Sequence, residues 1–596
     1  MFSEILSFLP TQLADFTPFA QNGRIDRAAL SEETATQLIK RGEEALNQPY
    51  PAIPATAYMD FCRTGNRVRF EALYMARRRT LNALALAEFV ERKGRFLDGV
   101  IDGIYALCEE SGWQLPAHNS YVRDTPQRIL PDTEAPVLDL FACETGAQLA
   151  MVRYLLREEL DAVSPLICKR ILSELNTRIV TPYLNRHFWW MGNGDEPMCN
   201  WTPWCTQNVL ITVFTTDQPQ DIKQHTVRQA AYSLDCFLKD YGEDGCCEEG
   251  AQYYRHAGLC LLNATEVLNA VCGNVFAPLY RKPKIRNLAA YILSMHVDDK
   301  YYINFADCSP IAGRAGVREF LFGLRTENPN LTAFAAEEWQ KSEDRDLPDE
   351  INLFYRLQAA FLANEISAYH PEKPVRHPEL YYPSVGIFIA RDSAYCLAVK
   401  AGDNNDSHNH NDTGSFTVYK NGLPFLIDVG VESYTKKTFS PRRYEIWTMQ
   451  SAYHNLPTFG GVMQKDGAAF AARDVEVSFK ENQSSISMDI AGAYPPEAGV
   501  EHYLRRVTLH KGAGITVEDR FSGSRSEAVL SLMFCEKPGF TGRTIAVGSL
   551  GTVSADRGEL RVESIPINDP RLRLAWPETL WRVLIRFEGQ LTLNLQ

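Results

Sequence analysis

The sequence predicts a chain in two parts, an all-α N-terminal half joined to an antiparallel β-sandwich half. Three observations carry this expectation. At 596 residues the chain is too long for one hydrophobic core. Before about residue 370, apolar residues recur with helical spacing. After a proline-rich stretch the period becomes two, and an Asn-Gly hairpin signal appears.

The helical pattern is clearest at Val227, Ala230, Ala231, Leu234, Phe237, Leu238 and Tyr241, one face of an amphipathic helix. The run YRHAGLCLLNATEVLNAVCG follows and stops at Gly273, a residue suited to a C-cap. Similar runs near 68–93, 135–160, 166–186 and 204–214 suggest helical hairpin after helical hairpin. YHPEKPVRHPELYYP, with four prolines, reads as a linker. Beyond it Val385, Ile387 and Ile389 alternate. Phe416 and Val418 lead through Asn421-Gly422 to Phe425 and Ile427, the strongest short hairpin signal. Val475, Val477 and Phe479 face a strand with Ile486, Met488 and Ile490. The expected division is 1–368 helical, 369–383 linker and 384–596 β-sandwich.

Composition limits the function. The 45% apolar and 23% charged content is ordinary for a globular protein. A net charge of −13 argues against a general nucleic-acid binder, but a small basic cleft for an anionic ligand remains compatible with it. No run of about 18 apolar residues is present, so no membrane span is expected. The opening MFSEILSFLPTQLADF makes a poor secretory signal, and the 14 scattered cysteines, without a CxxC pair, read as reduced thiols. A cytoplasmic protein is expected, or a periplasmic or secreted one if a leader has been trimmed.

Four groups of residues are candidates for chemistry. His408, His410, Asp428 and His454 are ordinary zinc-ligand types, and three protein ligands leave one position open. Their spacing is non-local, so hydrogen-bonded loop histidines and a strand-end Asp explain them as well. EEGAQYYRHAG places Tyr253, Tyr254 and His256 at a helix start, where the dipole favours a phenolate; packing tyrosines are the plainer reading. Asn200 in CNWTPWCTQNVL suits a helix N-cap, or an amide donor to a carboxylate with Asn208 on the same face. KKTFSPRRYE carries Lys436, Lys437, Arg442 and Arg443, a solvated loop or a bidentate anion contact.

Together, HNHNDTGSFTVYKNGLPFLIDVG, TFSPRRYEIWTMQSAYHNLP and the weaker echoes NWTPW, DGCCEEGAQYY, DLFACETGAQLA and WQLPAHN resemble the heparinase II/III-like polysaccharide lyases. The resemblance implies an N-terminal (α/α) toroid, an incomplete barrel of helical hairpins, before the antiparallel β-sandwich. It implies a carbon–oxygen lyase that cleaves a uronate glycan by β-elimination and leaves a 4,5-unsaturated end. A glycosaminoglycan such as heparan sulfate, hyaluronan or chondroitin comes first as substrate, then alginate or another uronate oligosaccharide. Rival classes are a zinc hydrolase and a non-catalytic glycan-binding protein. The resemblance assigns Tyr253, His408 and Asn200 to catalysis. It assigns His410, Asp428 and His454 to one divalent metal, zinc first, in a structural role, with no organic cofactor. Substrate contacts are expected from Asn208, Tyr254, Tyr434, Arg442 and Arg443. Cys199 before Asn200 and Trp201 after it depart from the family pattern. The expected partner is an anionic oligo- or polysaccharide, with no nucleic acid and no membrane, and a homodimer is left open.

Overall fold

The computed structural model describes residues 1–21, 24–123 and 125–596. The chain forms two compact units. The first comprises Met1–Tyr241, Arg255–Ala289 and Arg314–Val375. The second comprises Gly242–Tyr254, Ala290–Gly313 and Arg376–Gln596.

The first unit is built from helices that pack on their sequence neighbours. Helix Val68–Glu91 packs on Glu32–Leu46, Leu97–Cys108 and Leu140–Val163. Leu140–Val163 packs in turn on Pro165–Leu175, Trp201–Phe214 and Leu353–Ser367. Helix ends follow local chemistry. The pairs Ser164-Pro165 and Asn328-Pro329 each put a side-chain acceptor at the N-cap and a proline, which has no N–H to leave unpaired, at the first helical position. Helix Gln220–Asp240 buries Val227, Ala230, Ala231, Leu234, Phe237 and Leu238, as the spacing predicts. Trp201–Phe214 is buried all round, and a helix apolar on every side belongs in an interior. The run expected over 166–186 is interrupted by a π-turn at Asn176–Val180 before Thr181–Asn185.

In the second unit every strand pair is antiparallel. Strands β1 (Leu380–Tyr382), β2 (Ile387–Arg391), β3 (Tyr395–Lys400), β4 (Phe416–Lys420) and β5 (Leu423–Leu426) form a five-stranded sheet in the order β5-β4-β3-β2-β1. Asn421 and Gly422 both have positive φ, 51° and 77°, as the mirror-image hairpin turn requires. The proline-rich linker is therefore structured at its end, since β1 pairs there with β2 in the register Leu380↔Ile389. The alternation expected around Ile387 is not a half-buried strand. Ile387–Ala390 are all buried, because Phe388 and Ala390 enter the β core while segment 290–313 covers nearby positions, Arg391 reaching Ser294 O at 2.6 Å. Eight- and four-stranded sheets follow. One apolar cluster joins residues of all three, including Val399, Phe416, Ile486, Val507, Leu530 and Val583.

Within the helical unit Glu144 is buried and accepts from Asn352 Nδ2 at 2.9 Å. Burial, reinforced by the charge of Glu350, pushes its carboxyl up to about 8. The folded chain thus holds a proton that the unfolded chain releases above the usual carboxylate range. The stability this protonation contributes is present at acid pH and lost as pH rises towards 8. Glu144→Gln is expected to raise Tm by on the order of 2 °C at pH 8 and to leave it unchanged near pH 4, as followed by thermal unfolding.

Candidate active site

The second unit gathers its polar groups around one buried carboxylate, Asp307, in the segment NFADCSP. Its Oδ1 accepts from Arg443 Nη2 at 2.6 Å and from His410 Nε2 at 3.0 Å. Its Oδ2 faces His408 Nδ1 at 2.8 Å and Tyr434 OH at 3.1 Å. Arg571 Nη2 donates to the Asp307 backbone oxygen at 3.0 Å. Burial alone would raise this carboxyl. The hydrogen bonds from His408 and His410, with the Arg443 charge, outweigh it and hold Asp307 well below the usual carboxylate range. An ionised acceptor fixes the protons of both rings: each histidine nitrogen that faces Asp307 carries its hydrogen.

His410 therefore turns Nδ1 away from Asp307, and His408 turns its Nε2 away. The two histidines differ in surroundings. His410 is fully buried with His454 and Asp428, their ring centroids 5.4 Å apart. One donor atom from each of His410, Asp428 and His454 lies within 4.8 Å of the others. Asp428 Oδ2 is 2.8 Å from His454 Nδ1, and Oδ1 accepts from Gly430 N at 2.9 Å. Burial lowers the basicity of His410, while the Asp428 charge overcomes burial and raises that of His454. His410 Nδ1 and His454 Nε2 are buried without a hydrogen-bond partner among the described residues. Orphaned imidazole nitrogens beside a carboxylate, with the opposite nitrogen of His410 donating to Asp307, fit the donor set and outer carboxylate of a metal centre.

His408 instead sits at the rim. It adopts φ 60°, a left-handed conformation that costs a non-glycine residue energy. Its Nε2 is 3.4 Å from Glu249 Oε2, and its ring centroid is 4.5 Å from that of Tyr253. Tyr253 stands in the first turn of helix Ala251–Val271 and its hydroxyl bonds to that of Tyr434. Gly250, with φ 90°, sets this approach. A Cβ there would lie 2.8 Å from Cys308 Cβ and 2.9 Å from Phe305 O, so only glycine lets Glu249 and Tyr253 lie against the Asp307 segment. Burial pushes the Tyr253 phenol up, and Arg571 only partly offsets this. The phenol is neutral in the ligand-free protein, contrary to the lowered pKa favoured by a helix N-terminus.

Several expected contacts have other roles. Tyr254 is fully buried, packed 5.7 Å from Tyr291, so Tyr253 is the tyrosine that meets the histidine. Arg443 gives its donors to Asp307, Asn409 O and Thr438 O and positions the carboxylate. Arg442 is exposed and bound to Glu445 at 2.8 Å. In the helical unit Asn208 is fully buried, donating to Trp204 O and accepting from Asn352 at 3.0 Å, so it lines no surface. Asn200 occupies the N-cap position of Trp201–Phe214, yet its side chain makes no capping bond. His256 stacks on Trp204 at 4.0 Å, and burial lowers its pKa to about 3, which makes it a neutral packing residue. Asp307 and Arg571 were missed in the sequence. Neither lies in a spaced motif, and both act on residues more than a hundred positions away.

Residues 374–572 match the family described as heparinase II/III-like, C-terminal. This segment, about a third of the chain, is similar to the C-terminal part of heparinase II/III-like proteins. No curated protein matches it in sequence. Among solved structures, heparinase III aligns with TM-score 0.63 at 12% identity, over all of this chain and 89% of that one. A heparan sulfate lyase mutant from Pedobacter heparinus aligns at 0.57 and 14%, over 96% of this chain and 89% of the other. The chondroitin AC lyase of Streptomyces coelicolor A3 in complex with chondroitin sulphate aligns at 0.54 and 8%, over 100% and 82%. At these identities the likeness is one of fold, and it agrees with the α-toroid and antiparallel-sheet architecture.

Asp307→Asn would leave Arg443 buried without its counter-charge. A loss of about 3–5 kcal/mol is expected, read as a lowered midpoint in denaturant unfolding. Unchanged stability would show that Asp307 is not the hub of the unit.

Proposed function

We propose that this protein is a heparinase II/III-like polysaccharide lyase acting on a uronate glycan by β-elimination. The observation that carries the reading is the hydrogen-bonded group Tyr253–Tyr434–Asp307–His408. In it a neutral phenol and an imidazole whose Nε2 points away from Asp307 are held with ring centroids 4.5 Å apart. The names of the aligned structures, lyases of heparan sulfate and chondroitin, support the class.

Elimination needs a base at C5 and an acid at O4. His408 Nε2 takes the C5 proton, the C5–H electrons form the C4–C5 double bond, and the C4–O4 bond breaks. The Tyr253 hydroxyl gives its proton to the departing O4. Once product leaves, the imidazolium loses its Nε2 proton to solvent and the Tyr253 phenolate regains one, which restores the starting tautomer, while the Tyr434 hydroxyl, in contact with that of Tyr253, holds the phenolate in the interval. Burial of Tyr253 suits an acid better than a base. Arg571, over the Tyr434 ring at 4.7 Å, stabilises negative charge as it develops on the tyrosine pair. Glycosaminoglycans are the first substrate class, alginate or other uronate oligosaccharides the second.

We also propose that His410, Asp428 and His454 hold a divalent metal, with zinc the best fit to two imidazoles and a carboxylate. A bound ion supplies a fixed anchor for the loop that presents His408. Added zinc is expected to raise Tm in wild type and His408→Ala, but not in His410→Ala. Equal binding by both variants would sink this division of labour.

The function is tested with a panel of uronate oligosaccharides and the ultraviolet absorbance of the new double bond. Wild type should raise it, and Tyr253→Phe and His408→Ala should each cut kcat by about 100-fold or more. New reducing ends without absorbance would mean a hydrolase. Binding with neither product would mean a glycan-binding protein.

A further inference from the structure

The loop that carries both histidines leaves the β core at Lys400, the last residue of β3, and returns at Ser415. Its base is closed by the backbone, Lys400 N donating to Ser415 O at 2.9 Å and Gly414 N to Lys400 O at 2.7 Å. The Lys400 side chain does not leave for solvent. Its Nζ lies 2.6 Å from Asp406 Oδ2 and 3.2 Å from Asp412 Oδ1, with 1% of the lysine side chain and none of the Asp412 side chain exposed. Asp406 lies two residues before His408, and Asp412 two residues after His410. Apart from this ammonium, the Asp412 carboxylate oxygens have no hydrogen-bonding partner among the described residues.

We propose that Lys400 is a positioning residue, a buried ammonium that clamps the Asp406–Asp412 loop from both ends and so holds His408 in its left-handed conformation. The reason is energetic. Taking one ammonium and two carboxylates out of water costs about as much as their attraction returns, so the triad is a poor source of stability. It is a strong source of selection, because any conformer of the loop that moves either carboxylate away leaves a charge buried and unpaired. A strained φ at His408 needs such over-determination. The Asp307 bonds orient the imidazole rings, and the Lys400 bonds fix the backbone beneath them. The burial that disfavours a charged lysine is outweighed by the two aspartates, which hold the Lys400 ammonium protonated, while burial raises the Asp406 carboxyl.

The catalytic part of this inference rests on the lyase reading, whereas the conformational part does not. The test uses the full-length chain and the neutral variant K400M/D406N/D412N, in which no charge is left unpaired. Hydrogen exchange, measured by mass spectrometry, is expected to speed up by about tenfold or more over 405–413 and to stay unchanged in the β sheets. On uronate oligosaccharides kcat should fall by about 10- to 100-fold with KM nearly unchanged, as a displaced catalytic group predicts. K400R, which keeps the charge, should recover most of both. Wild-type exchange over 405–413 in the neutral variant overturns the proposal, as does exchange that rises equally throughout. If the neutral variant does not fold, D406N, which frees one end only, decides by the same local readout. If wild type shows no lyase activity, that reading fails by itself and the exchange data still decide the clamp.

Discussion

The second unit depends on the ionised carboxylate of Asp307. A carboxylate has about four acceptor positions, and all four are used: one guanidinium, two imidazoles and one phenol. Each bond does more than stabilise. The one to His410 turns a lone pair inward towards Asp428 and His454. The one to His408 turns the opposite ring nitrogen, Nε2, towards Glu249. The two imidazole bonds, with the Arg443 charge, keep the carboxylate charged at a depth where it would otherwise pick up a proton. One buried anion thereby gives two neighbouring histidines opposite orientations, which neither residue type nor local backbone would impose.

Much of this organisation is legible in the sequence. The helix Gln220–Asp240 and the Asn421-Gly422 hairpin follow from periodicity and turn chemistry, which are local. The candidate metal-binding group His410, Asp428 and His454 is readable as residue types, and the structure brings the three together. Asp307 and Arg571 are not readable, because their roles come from tertiary meetings across 101 and 264 positions. The basic loop misleads for the same reason. Arg443 looks like an anion-binding residue, but the anion it binds is the protein's own.

The pairing of a strained histidine with a fully bonded surround is consistent with a site that exchanges stability for geometry. His408 at φ 60° is held by Asp307 at its ring, and the loop around it is pinned by Asn409 O to Arg443 and by Asn411 N to Met449 O at 3.0 Å. In the proposed elimination, rigid support of this kind would let a weak acid and a weak base act on a carbon-bound proton, since the energy of ordering them is met during folding rather than at the reaction.

The order of the segments has a consequence for how the protein is made. Gly242–Tyr254 and Ala290–Gly313 belong to a unit whose remaining residues begin only at Arg376. A ribosome delivers Tyr253 and Asp307 long before His408, Tyr434, Arg443 and Arg571 exist. Asp307 enters the cell as a carboxylate with none of its cationic partners yet synthesised. Its dry, four-bonded state cannot form before Arg443 has been made, so this centre is completed late in biosynthesis.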